Sequence, residues 1–223
     1  MAFENHLYIN TIQGFLSDRG VYGKMQIKAK ELRLLIKDSE LDSWKANIKA
    51  LKELFRSVAK SPKDFLECLV ILEVRISKDL RADCVILGRN IMKKAIAVVM
   101  ELKQWDDDFI AKPEVEEDIR AGKVITRYPN NPLCLHPSRQ VSEYRWNLNN
   151  YPAFQNGNIH HIGIAYCYNC DRGMQTYTVL YDKDYNDYRK DCKTYTKKTK
   201  GSLVNVLLNN LQSGGGQEVF YQL

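Results

Sequence analysis

Four of the six cysteines, Cys134, Cys167, Cys170 and Cys192, fall in the last ninety residues beside three of the four histidines. Sulfur and imidazole donors gathered in one stretch point to metal binding. Cys167 and Cys170 sit two residues apart between segments 159–166 and 174–181, which are rich in β-branched and aromatic residues. A Cys-x-x-Cys on a turn between two strands has the form of a zinc knuckle. Two intervening residues let the chain fold round one ion, and Gly173 takes the positive-φ position that such a turn needs. A tetrahedral site requires two more ligands, and Cys134 and His136, in a proline-rich segment upstream, supply one sulfur and one nitrogen. Cys192, His160 and His161 stand in reserve. Adjacent residues on a strand face opposite ways, so at most one of the two histidines can join the site. Zinc on Cys134, His136, Cys167 and Cys170 is therefore the expected cofactor, stabilising a small module by on the order of 10 kcal/mol.

Other chemistry for these groups is less well supported. A redox Cys-x-x-Cys opens a helix after a strand, whereas here a second strand is expected. Cys134 with His160 or His161 would make a thiol–imidazole dyad, but Cys134 lies in Pro132-Leu133-Cys134-Leu135-His136-Pro137, which reads as extended chain. A zinc deaminase needs a His-x-Glu, and the corresponding residues are His136-Pro137-Ser138. Phosphate-loop, dinucleotide and His-Glu-x-x-His patterns are absent. Asp106, Asp107 and Asp108 could hold a divalent cation, but three consecutive side chains rarely converge on one point.

The second chemical feature is a basic and aromatic stretch near the C-terminus. Tyr185, Tyr188, Arg189, Lys190, Lys193, Lys197, Lys198 and Lys200 interleave flat rings with cations. Such rings can stack on unpaired bases while the cations follow phosphates. Asp182, Asp184, Asp187 and Asp191 lie within the same stretch and oppose that field. Nucleic acid, single-stranded by preference, is the first expected partner and another protein the second.

The elements that must position these groups divide in the reading along the chain. Segments 5–18, 27–36, 41–58, 61–76 and 83–102 carry apolar residues at helical spacing, clearest in Leu41, Trp44, Ile48, Leu51, Phe55 and Val58. They predict an antiparallel helical bundle over 1–105, with Cys68 and Cys84 buried inside it. Seven acids among residues 106–118 mark a linker over 106–122. Ten of the 13 tyrosines then lie between Tyr128 and Tyr195, in a zinc-stabilised, β-containing module over 123–212. A helix is expected from Leu203, and Ser213-Gly214-Gly215-Gly216 opens a flexible tail over 213–223. The expected class is α+β.

The 223 residues carry 33 basic and 27 acidic side chains, a net charge of +6, with 12 basic and 7 acidic in residues 123–223. Composition argues against disorder, and no apolar run reaches the length of a membrane span. The first residues lack the order of a secretion signal, so an intracellular protein, cytoplasmic or nuclear, is expected. Together these features predict a non-enzymatic zinc-binding regulatory or accessory protein, of the small viral kind among others, that binds nucleic acid. The alternatives are a protein–protein adaptor with a structural zinc and a thiol enzyme using Cys134.

Overall fold

Residues 69–76 read Leu-Val-Ile-Leu-Glu-Val-Arg-Ile, and 95–100 read Ala-Ile-Ala-Val-Val-Met. Neither segment has a polar face, which is the pattern of a strand covered on both sides. The computed structural model describes residues 5–58, 63–127, 132–172 and 178–223. Its elements run β1 (Tyr8–Thr11), α1 (Ile12–Ser17), α2 (Val21–Glu31), α3 (Asp38–Val58), β2 (Leu69–Arg75), β3 (Arg81–Arg89) and β4 (Ala95–Lys103). Then follow β5 (Ile110–Ala111), α4 (Glu116–Arg120), β6 (Lys123–Thr126), β7 (Leu133–Leu135), α5 (Pro137–Leu148), α6 (Pro152–Gln155) and β8 (Ile159–Cys167). The chain closes with α7 (Asn186–Asp191), β9 (Cys192–Thr196), α8 (Lys200–Asn210) and α9 (Gly216–Phe220).

Six strands form one mixed sheet in the order β1-β2-β3-β4-β8-β9. The first four pair antiparallel; β8 lies parallel to β4, and β9 parallel to β8. A parallel pair needs a long crossover, and the chain between β4 and β8 holds α5 together with a small sheet β5-β6-β7. One face of the large sheet packs on α1, α2, α3 and α8 through Phe15, Met25, Trp44, Phe55 and Leu207. The other packs on α5, α6 and α9 through Val141, Tyr144, Phe154 and Val219.

This architecture corrects the expected α+β bundle-plus-module. The protein is α/β, with helices interspersed among strands from both halves of the chain. Of the helices drawn through residues 5–102, α3 forms as expected, with Trp44, Leu51, Leu54, Phe55 and Val58 buried. Segment 61–76 contributes β2 instead, and 83–102 contributes β3 and β4. A strand buried on both faces carries apolar residues everywhere, so a helical stripe can be drawn through it by chance; its length and β-branched content decide. Cys68 and Cys84 are buried as expected. The zinc-stabilised part of the expected fold is corrected too. Among the described residues, no group of three or more His, Cys, Asp or Glu side chains is placed to hold a metal ion. Among them, too, no helix is long and apolar enough to cross a membrane.

The segment read as a flexible tail closes back on the sheet. Gly214 and Gly215 adopt φ of 56° and 69°, a region glycine enters without penalty. The turn they make lets Ser213 N–H donate to the Arg89 carbonyl at 3.0 Å and Arg89 N–H to that of Gly214 at 2.9 Å. A Cβ on Gly216 would stand 2.2 Å from the Leu69 backbone nitrogen. Gly216→Ala should therefore push α9 off the sheet at a cost of about 1–3 kcal/mol. That is a melting temperature lower by roughly 5 °C, checked by thermal unfolding followed by circular dichroism.

Candidate active site

Three acidic residues interrupt the apolar central strands. Cys84 pairs with Met100, so Asp83 on β3 stands opposite Glu101 on β4. Glu73 falls between the pairs Leu72–Cys84 and Val74–Ala82, opposite Asp83 on its other side. Glu73, Asp83 and Glu101 thus stand at one level on three adjacent strands, at the carboxyl end of β4. Open α/β sheets bind ligands at the carboxyl ends of their parallel strands, and β4 and β8 are such a pair. The three acids line a cavity of about 500 Å³, bordered by Leu32 and Leu34 from the α2–α3 side and by Gln140 and Tyr144 of α5. Arg75, Lys78 and Arg81 line it as well.

The backbone is unusual at one of these acids. Glu73 has φ of 54°, a conformation that costs a non-glycine residue of order 1–3 kcal/mol. Its effect is visible in the packing. Leu69 and Ile71 face α5 and α9, Val70 and Leu72 face α1–α3, and then Val74 and Ile76 face α5 and α9. Alternation slips by one residue at Glu73, which re-aims its side chain within an otherwise regular strand.

Each carboxylate has a defined partner. Arg81 Nε lies 2.7 Å from Glu73 Oε2, and its guanidinium also pairs with Glu40 of α3. Asp83 accepts the Leu102 N–H at 2.6 Å. Lys103 Nζ lies 2.7 Å from Glu101 Oε1. On the other oxygen of Glu101, the Tyr144 hydroxyl donates at 2.7 Å, and the Gln140 amide donates to that hydroxyl at 2.7 Å. Glu101 and Lys103 are two residues apart, so both stand on the α5 face of β4.

Two fixed cations do not neutralise this concentration of acid. Burial, and then repulsion from Glu101, push Asp83 up to about 8. Burial, with Asp83 and Glu101 nearby, holds Glu73 well above the usual carboxylate range. Burial and the same negative field raise the Tyr144 hydroxyl. Perturbed acids converging on a cavity mark a functional site. Hard carboxylate oxygens are the donors that Mg²⁺ and Mn²⁺ take, and an added divalent charge would relieve the repulsion that keeps protons on these groups. The donor type therefore suits such a cation, and Asp83, Glu101 and Glu73 are the residues that would hold it on turning from their present partners. As folded, these oxygens are turned to their internal partners, and they do not surround one point.

The residues singled out in the sequence lie elsewhere. Cys167 ends β8 and Cys170 follows it; both are buried, and the Cys170 thiol donates to Asp107 at 3.0 Å. Burial raises both thiols, that of Cys170 to about 12. Cys134 lies on β7, with its sulfur 3.7 Å from the Thr126 hydroxyl. His136 caps α5, accepting the Ser138 N–H, and its ring stacks on Tyr185 at 4.6 Å. Burial depresses it to about 3. Of the reserves, His161 is held by Arg145 and Asn149, and Cys192 opens β9. Of the knuckle's second flank, residues 173–177, Gly173 included, lie outside the described residues, and Val179–Tyr181 form a 3-10 turn in place of the expected strand.

In the basic stretch, Tyr185 is buried between His136 and its own hydrogen bond to the Lys123 carbonyl, which leaves no ring face for a base. Tyr188 bonds the Arg120 carbonyl and lies under Arg139. Arg189 lies over the Tyr181 ring and donates to the Tyr181 carbonyl, and Lys197 pairs with Asp171. Lys190, Lys193 and Lys198 are exposed, and Lys200 opens α8 half-buried. Compared with protein-family models, curated proteins and solved structures, the chain matches none.

Proposed function

We propose that this chain is a divalent-metal-dependent hydrolase of phosphodiester bonds in nucleic acid. The observation that carries the reading is the alignment of Glu73, Asp83 and Glu101 across three strands at one cavity, with Lys103 on the same face as Glu101. Nucleic acid, expected from the sequence as a bound partner, becomes the substrate. The cavity lining sets Arg75, Lys78 and Arg81 against four acids, Glu73, Asp79, Asp83 and Glu101, so a phosphate would enter with the cation bound, while the chain's net charge of +6 suits a polyanion at longer range.

The reaction adds water across the ester. A water oxygen attacks phosphorus and gives up a proton, the bond from phosphorus to the leaving sugar oxygen breaks, and that oxygen takes a proton. A bound Mg²⁺ or Mn²⁺ would polarise the phosphoryl oxygen and acidify water. Asp83, Glu101 and Glu73 would hold the cation. Lys103, which pairs with Glu101 and lies over the Trp105 ring rather than lining the cavity, would supply a positive charge for the negative charge that gathers on the phosphoryl oxygens. Tyr144 and Gln140 are positioning residues, which orient Glu101 through the chain of hydrogen bonds from α5.

Incubation of the purified chain with supercoiled plasmid and with labelled single strands should show cleavage in Mg²⁺ or Mn²⁺ and none in EDTA. Asp83→Asn should abolish both cleavage and the heat of Mn²⁺ binding in calorimetry. Absence of cleavage and of Mn²⁺ binding in the unmutated chain would overturn the reading, as would cleavage unchanged in Asp83→Asn.

A further inference from the structure

The three tryptophans divide by exposure: Trp44 and Trp105 are 1% and 2% exposed, whereas Trp146 on α5 is 69% exposed. Helix α5 turns Gln140 and Tyr144 into the active-site cavity. The next face of the same helix, with Arg139, Ser142, Glu143, Trp146 and Asn147, lines a shallow groove. Leu80 borders both the cavity and the groove, so the two are neighbours. On the opposite side of the sheet, Leu34 lines the cavity and its neighbour Leu35 is fully exposed.

What this groove can hold follows from its chemistry. An exposed indole beside a phosphodiester site offers a flat face for a base, and base-on-aromatic stacking tolerates any sequence. A duplex keeps its base faces against each other, whereas a single strand presents them. Arg139 is held by Glu143 at 3.0 Å and by the Tyr188 ring, which fixes a guanidinium at the same groove. Asn147 donates its amide to the Glu143 carbonyl, a bond that leaves its side-chain oxygen able to accept from a base edge.

We propose that the groove between Leu80 and Trp146 holds an unpaired nucleotide next to the scissile phosphate, with its base stacked on Trp146, so that the enzyme takes single-stranded nucleic acid in preference to intact duplex. This rests on the hydrolase reading above and adds the strandedness of the substrate and the residue that selects it.

Tryptophan emission tests it directly, because Trp146 is the indole that an added strand can reach. The full chain, in EDTA so that cleavage is off, is titrated with a short oligothymidylate and with a duplex of equal length. Quenching by the single strand and much weaker quenching by the duplex are expected. Trp146→Ala should abolish the quenching and weaken single-strand binding about tenfold or more. Trp146→Phe should keep most of the affinity. Equal quenching by duplex, unchanged affinity in Trp146→Ala, or no strand binding would overturn the proposal. If any of these came with metal-dependent cleavage by the unmutated chain in Mn²⁺, the hydrolase reading would stand. Single-strand quenching without cleavage in any metal would instead count against the hydrolase and leave the groove as a binding site.

Discussion

Replacing Lys103 with methionine should lower the rate of metal-dependent cleavage by roughly 100- to 1,000-fold, the usual effect of removing one preorganised charge from a transition state. The two side chains are similar in length, so the apolar stem of Lys103 is replaced in kind and only the ammonium is lost. That ammonium is the cation nearest Glu101, and Glu101 keeps its bond from Tyr144 in the variant. The split between rate and metal affinity is the informative readout. If Lys103 serves the reacting phosphate, Mn²⁺ should bind the variant at least as tightly as it binds the unmutated chain, because a competing positive charge has gone. If Lys103 serves only to hold Glu101 in place, Mn²⁺ affinity should fall together with the rate, and saturating metal should restore most of the activity. Single-turnover cleavage at several Mn²⁺ concentrations, beside calorimetry, separates the two. The second pattern would remove Lys103 from the reaction and leave it as a positioning residue.

How much of this was legible in the sequence depends on which residues are asked. Helix α3 was legible because its apolar residues occupy one stripe and its lysines the other face, with Lys45 and Lys49 exposed. The helix from Leu203 was legible for a similar reason, and α8 buries Leu203 and Leu207. The central strands were not, because β2, β3 and β4 are covered on both faces and their composition has no period of its own. Reading them as helices hid the site. On a helix, Glu101 and Lys103 diverge by about 200°, whereas on a strand they share a face. The pairing that sets Glu73 and Asp83 beside them is long-range, and only the sheet provides it. The available signal was the isolation of each acid: Glu73 in Leu-Val-Ile-Leu-Glu-Val, Asp83 in Ala-Asp-Cys-Val-Ile-Leu, and Glu101 after Val-Val-Met. A lone acid inside an apolar run is costly to bury and needs a reason. The cysteines and histidines drew attention by residue type. Their surroundings show ordinary packing: Cys167, Cys170 and Tyr185 form a small core with Trp105, Val124 and Leu180.

The acidic level also makes a large prediction for stability, with a sign that separates it from the rest of the molecule. Asp83 is raised to about 8 in the folded chain, far above its unfolded value of about 3.9. A group raised on folding contributes stability that is complete below its unfolded pKa and is lost as pH rises through its folded one. The metal-free chain should therefore gain stability as pH falls from about 8 to about 6.5, by on the order of 2 kcal/mol, or a melting temperature higher by roughly 5 °C. Below about 6.5 two histidines, one buried and one half-buried, act in the opposite sense. His136 and His161 are depressed by burial to about 3 and about 4, so stability is lost as the unfolded chain takes up their protons. With Glu73 raised in the same sense as Asp83, two acids oppose two histidines, the trends offset, and the profile should flatten below about pH 6.5. The raised thiols of Cys84, Cys167 and Cys170 begin to lower stability only above about 8.5. Asp83→Asn removes the acid while its side-chain oxygen can still accept the Leu102 N–H. In this variant the gain between pH 8 and 6.5 should shrink sharply and the histidine-driven loss below 6.5 should stand exposed. Excess Mn²⁺ at about pH 8 should raise the melting temperature of the unmutated chain, since a ligand of the folded state stabilises it by mass action, and should leave Asp83→Asn unmoved. Thermal melts across this pH range, with and without Mn²⁺, check every arm. A wild-type profile that is flat from pH 8 to 6.5 and indifferent to Mn²⁺ would mean that the three acids are neutralised within the fold and hold no metal.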